Sequence, residues 1–188
     1  SHADIPKFLS RIRALTDAAG GRFSVAEVGG DHADREMKLF TAGNDRLNSA
    51  YGFLYLYADK LTGDMIPQGA AMWPGADGEG WPSWTFSNHD APRVATRWAE
   101  GGGGAFSFGG RGDDGAATST GATPITWLAL LLALRGTVFL YQGEELGLPQ
   151  STLAFEDLRD PFGIAHWPQN PGRDGCRTPF PWQSDARR

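Results

Sequence analysis

A single cysteine, Cys176, excludes an internal disulfide framework and points to a reducing compartment. No apolar run is long enough for a bilayer. The longest, 127–134, falls far short of the roughly 20 residues a membrane helix needs. Basic charge is scarce too: 17 Lys and Arg stand against 22 Asp and Glu, a net charge of −5. That balance argues against nucleic acid and anionic membrane surfaces as partners and fits a neutral ligand. The glycine run 101–104 is followed by no Lys-Ser/Thr pair, so it is no phosphate loop. Asp31, His32 and Asp34 are spaced too closely on a loop to suggest a metal site, and no metal is expected. No initiator Met and no signal peptide are visible. The chain opens just before a helix, which is expected of a sequence that starts inside a longer protein. A cytoplasmic location is expected, with the periplasm left open.

The chain does hold a globular composition, 40% hydrophobic and 21% charged, which separates it from disordered sequences. Its 188 residues fit one domain and can bury roughly 70% of the unfolded surface. Seven tryptophans offer flat faces that suit sugar rings, although most aromatic residues serve the core.

Asp4 can cap a helix with Pro6 in its first turn, and Ile5, Phe8, Leu9, Ile12 and Leu15 recur at helical spacing over 4–19. Gly20 and Gly21 stop it. Residues 23–28 read as a buried strand, 33–42 as a helix and 50–57 as a second strand. Residues 67–82 read as a surface loop or short helix and 84–88 as a third strand. The stretch 100–121, with nine glycines, reads as a flexible surface insertion. A buried helix over 125–134, a fourth strand over 137–141 and a long loop-rich tail complete the chain.

Strands alternating with helices imply an α/β fold with a parallel sheet, and four such units make half of a (β/α)8 barrel. Chemistry in that architecture sits at the carboxyl ends of the strands, where Glu27, Asn88, His89, Asp90 and Gln142 fall. Glu27 follows Val25 and Ala26. A carboxyl group in an apolar setting keeps its proton to higher pH and can act as an acid, but the same residue could cap a helix or pair with an arginine. Asp90, followed by Ala91 and Pro92, could equally be a helix N-cap. Cys176, beside two arginines, could have a more acidic thiol, but no His or second Cys accompanies it and a structural role is expected. His166, beside Trp167, is expected to pack.

Several segments together resemble one family. Phe86 to Asp90 with Arg93 are similar to the fourth conserved segment of the α-amylase superfamily, glycoside hydrolase family 13. Val25 to Val28 resemble the third, and VFLYQGEELG at 138–147 resembles the last barrel strand and its loop. FEDLRDPFGIAHWPQNPGRDGCRTPFPW at 155–182 resembles the bacterial α-glucosidase branch, with Phe180 where that branch has Met.

The resemblance implies roles. Glu27 would be the general acid/base, Asp90 the carboxylate supporting an oxocarbenium-like transition state, and His89 a hydroxyl-binding neighbour. Phe53 would form an aromatic wall of the pocket, with Arg173 and Arg177 in a loop reaching the substrate. It implies the C-terminal half of a TIM barrel, strands five to eight, with the N-terminal half and the C-terminal β-domain absent from 1–188. The Gly-Phe-Arg-x-Asp pattern that carries the family's nucleophile does not occur in this sequence. The parent reaction implied is retaining hydrolysis of terminal α-linked glucose from oligosaccharides or disaccharides, with no organic cofactor. A sucrose hydrolase, a trehalose synthase, a transglucosylase and a non-enzymatic barrel relative remain the alternatives; a plain sugar-binding module is disfavoured by the acids at strand ends.

Overall fold

The computed structural model describes residues 2–30, 32–98 and 124–183. The expected glycine-rich insertion and Asp31 lie outside the described residues. The described chain divides into two compact units, one built from 2–30, 32–55, 62–85 and 133–139, the other from 56–61, 86–98, 124–132 and 140–183.

The first unit opens with helix α1, Ile5–Ala18. Asp4 precedes it, but its side chain makes no capping bond, contrary to the expectation. The backbone there is already helical, φ −84° and ψ −8°, and a cap needs an extended residue to turn its side chain onto the free N–H groups. Pro6 sits in the first turn, and Gly20, at φ +88°, ends the helix in the left-handed region. Of the apolar stripe only Leu9 is buried, while Phe8 and Leu15 are exposed.

Strand β1, Val25–Glu27, runs parallel to β2, Ser49–Tyr51, in the register Val25 to Ser49, Ala26 to Ala50 and Glu27 to Tyr51. Helix α2, Ala33–Thr41, connects them and buries Met37 and Thr41, which completes a βαβ unit. Strand β3, Ser83–Trp84, pairs in parallel with β4, Thr137–Val138. A parallel bridge from Ala50 to Pro82 links the two pairs, so the strands lie in chain order, as the alternating pattern predicts. Helix α3, Met65–Met72, precedes β3 and is the short helix that was one of the two readings of 67–82.

The strands are shorter than their apolar runs. At the end of β2 the chain leaves the ladder at Gly52, where an added Cβ would lie 2.4 Å from the Ser83 carbonyl oxygen. Only glycine lets the two backbones come this close. Beyond it, Phe53, Tyr55 and Leu56 are buried without being strand, because hydrophobicity reports burial and not hydrogen bonding. Nor is β1 buried throughout: Ala26 is covered, but Val25 and Glu27 on its other face are exposed.

The second unit is built around Phe86, Trp98 and Trp127, whose rings meet at 4.8 and 6.3 Å between successive centroids. Leu131 and Leu158 are also buried in this unit. Arg97, at the end of the single-turn helix α4 (Val94–Arg97), is buried among them and donates to the carbonyls of Phe86 and Ala58. Helix α5, Pro124–Ala133, was expected as a buried helix over 125–134. Trp127 and Leu131 are buried, but Ile125 is 75% and Leu132 64% exposed, because only one face of an apolar helix meets this core. The tail keeps its loop-rich character, broken by a 3-10 turn at Phe155–Asp157, helix α6 at Pro161–His166 and a second 3-10 turn at Asp174–Cys176.

Candidate active site

The stretch after β3 is shaped by Asn88. Its side-chain oxygen accepts from the backbone N–H groups of Asp90 and Ala91, at 2.9 and 2.8 Å, forming an Asx turn. Helix α4 then starts only at Val94, whose N–H is taken by the Ser87 hydroxyl at 2.9 Å. Asp90 is therefore no helix cap, which settles one of its two readings: Asn88 and Ser87 satisfy the local backbone and leave the Asp90 carboxylate for other partners.

Those partners come from the tail. Arg173 Nη1 and Arg177 Nη2 both donate to Asp90 Oδ1, at 3.0 and 2.8 Å, and His89 Nε2 stands 3.4 Å from Oδ2. Arg177 also donates from Nε to the His89 carbonyl at 2.7 Å. Four of the residues singled out from sequence, His89, Asp90, Arg173 and Arg177, thus form one charged cluster. Asp90 keeps partial solvent access while one of its oxygens is held by two guanidinium groups.

Behind Arg173 lies a residue the sequence reading passed over. The Asp160 side chain is fully buried and accepts from Arg173 Nε at 2.9 Å and Nη2 at 3.1 Å, and from the Arg173 backbone N–H at 2.9 Å. The Arg173 hydrogen bonds outweigh burial and hold the Asp160 carboxyl well below the usual carboxylate range. Asp160 also caps α6 through the Phe162 N–H, with Pro161 following. The pair Asp160-Pro161 was a legible start signal for a helix; its reach to Arg173 was not.

Arg93 was visible only as part of the motif at 86–93. It is buried and donates to the carbonyls of Gln142 at 2.7 Å and Cys176 at 3.1 Å, lying over the Tyr141 ring. It therefore ties the loop after β4 to the arginine loop at 173–177. Glu144 lines the same small cavity as Arg93, Ser87 and Trp127. Burial pushes its carboxyl up to about 7, against the Tyr141 N–H, Ser87, Arg97 and Arg93, which pull the other way. Cys176 is buried, and burial pushes its thiol up to about 11 despite the pull of Arg177 and Arg93, so desolvation beats the neighbouring charges there. His166 stacks on Phe162 at 4.1 Å between centroids, while staying exposed.

Glu27 and Phe53 belong to the first unit. Glu27 ends β1 beside Tyr51, its register partner. The Tyr51 ring packs edge-on against Phe53 at 5.5 Å and against Phe139, just beyond β4, at 5.1 Å. An aromatic group therefore marks the carboxyl ends of β2 and β4. Phe53 is 7% exposed and packs beside Gly29, two residues beyond Glu27. Glu27 itself is exposed, not enclosed in the apolar surroundings expected from the run 23–28. A parallel strand turns alternate residues to opposite faces, and the face bearing Val25 and Glu27 is left exposed by the described residues.

Parallel strands in chain order, with helices between them, define the class as part of a (β/α)8 barrel. The chain belongs to the α-amylase family: the alpha amylase catalytic domain matches residues 68–187. A probable alpha-glucosidase of Rhizobium meliloti (strain 1021) is 40% identical across 95% of this chain and 30% of its own length. An oligo-1,6-glucosidase of Heyndrickxia coagulans is 25% identical across 96% of this chain and 36% of its own. Among solved structures, an alpha-glucosyl transfer enzyme, XgtA, superposes with a TM-score of 0.78 at 38% identity, over 97% of this chain and 31% of its own. The chain thus spans about a third of the length of the relatives it matches.

Proposed function

We propose that the protein carrying this chain is a retaining α-glucosidase that releases terminal α-linked glucose from short oligosaccharides or disaccharides. The observation that carries this is the Asp90 cluster: a carboxylate beyond the end of a barrel strand, fixed by Arg173 and Arg177 and flanked by His89. A fixed carboxylate of this kind suits the positive charge that develops on a glucosyl ring. In this reading Asp90 and His89 grip sugar hydroxyls. Glu27 protonates the leaving oxygen and then takes a proton from the attacking water. Phe53 belongs to the aromatic side of the pocket. The strands correspond to the fifth to eighth of the barrel.

The nucleophile would come from residues outside these 188, since the sequence holds no Gly-Phe-Arg-x-Asp pattern. Without it no glycosyl-enzyme intermediate forms, so the chain by itself should release no glucose from maltose. Turnover by the lone chain, abolished by Glu27→Gln, would mean that a nucleophile within the 188 residues had been overlooked.

In the whole protein, Glu27→Gln should remove most activity on substrates with poor leaving groups while sugar binding survives, because the proton donor is lost and the shape is kept. Wild-type turnover of maltose by that variant would sink the assignment. A second reading, glucosyl transfer to another sugar, is favoured by the likeness to the alpha-glucosyl transfer enzyme. Both reactions share the glucosyl-enzyme step and part at the acceptor. The ratio of glucose to new oligosaccharide formed from maltose decides between them.

A further inference from the structure

We propose that Asp160 is a positioning residue for the reaction: it holds the Arg173 guanidinium in the orientation that fixes Asp90. The inference rests on the proposed role of Asp90. Arginine is long and flexible, and one placed between two carboxylates has to be prevented from satisfying either alone. Asp160 does this with three bonds to Arg173, two to the guanidinium and one to the backbone N–H, which leave Nη1 directed at Asp90. Its own side chain is wholly enclosed, so water does not compete for those bonds.

The backbone is fitted around this contact. Gly172 adopts φ +73°, and a Cβ there would lie 2.7 Å from Asp160 Oδ2. A Cβ on Gly163 would meet the Pro171 carbonyl oxygen at 2.3 Å. Asp174 in turn accepts from the N–H groups of Arg159 and Asp160, at 2.6 and 2.7 Å. Segments 159–163 and 171–174 are thereby locked face to face, with Arg173 leaving the assembly in one direction. Helix capping alone accounts for one of the Asp160 contacts, the Phe162 N–H, and for none of the three to Arg173.

The test is a double-mutant cycle on the whole protein with Asp160→Asn and Arg173→Lys. Asparagine keeps a cap for α6 but loses the charge, and lysine lacks the fork that can face two carboxylates. Asp160→Asn should lower kcat per folded molecule by roughly 10- to 100-fold, the scale expected of a misplaced catalytic group, with KM little changed. Combined with Arg173→Lys it should add almost nothing further, because both changes remove the same orientation. A purely structural Asp160 would lower the yield or the melting temperature and leave kcat per folded molecule intact. Wild-type kcat in Asp160→Asn, or losses that multiply in the double variant, overturns the inference while leaving the proposed function standing. Wild-type kcat in Arg173→Lys removes the proposed site itself. If Asp160→Asn does not fold, the wild-type protein crystallised with a glucose-like inhibitor decides: Arg173 should touch both Asp160 and Asp90, and a guanidinium swung away from Asp160 refutes the role.

Discussion

Replacing Glu144 by glutamine should change how the stability of this protein depends on pH. Glu144 is buried, with Oε2 accepting the Tyr141 N–H at 3.1 Å. Burial pushes its carboxyl from 4.5 up to about 7, outweighing Tyr141, Ser87, Arg97 and Arg93, which all favour the charged form. A raised acid binds its proton more tightly when folded than when unfolded. Its contribution to stability is therefore fully present below pH 4.5, declines as pH rises, and is lost above about 7. The gap between those values, at about 1.4 kcal/mol per pH unit, is worth about 3 kcal/mol. At pH 5 about a quarter of the loss has occurred, and by pH 8 it is nearly complete. Glutamine keeps the shape and the acceptor and does not titrate. Urea unfolding of both proteins at pH 5, 6, 7 and 8 should show the difference moving in favour of Glu144→Gln by about 2 to 3 kcal/mol across that range. Histidines titrate in the same window, but they are common to both proteins and cancel. A difference that stays flat would refute the reasoning. It would mean that Arg97 and Arg93 keep Glu144 charged in the folded state and that burial is not the winning effect.

Two further outcomes follow from the packing. Gly52→Ala forces a Cβ against the Ser83 carbonyl, so β2 and β3 must part, and unfolding in urea should show a loss of about 2 kcal/mol or more. An unchanged midpoint would mean the strands have room to give. Cys176 should react with a thiol reagent at pH 8 only on the timescale of unfolding, because the thiol is enclosed and pushed up to about 11. Immediate labelling of the folded protein would show that the enclosure is wrong.

Much of the fold was legible because two periodicities carry it. Apolar runs between helical stripes located the four strands of the described residues, and the glycines at 20 and 21 marked the end of α1. Strand lengths were not legible. The buried run after Tyr51 looks like strand in composition, but whether a residue joins the ladder depends on a neighbouring backbone, and Gly52 takes the chain out of it. The capping role read into Asp4 failed for a similar reason: the residue type permits a cap, and the backbone angles decide.

The candidate site divides in the same way. In the sequence, the resemblance of local motifs to one family implied that a strand-end carboxylate at 90 and two arginines near the tail belong to one chemistry, because those motifs are short and contiguous in the chain. Tertiary structure decided which groups meet. Asp90 is held by Arg173 and Arg177 from more than 80 residues away, Asp160 grips Arg173 from behind, and Arg93 reaches the Cys176 carbonyl. It also decided that Val25 and Glu27 stand on an exposed face while Glu144, equally charged on paper, is buried enough to hold a proton near neutrality. Periodicity reports the water a side chain avoids. The partner that replaces that water comes from a distant segment, and only the folded chain brings it within hydrogen-bonding distance.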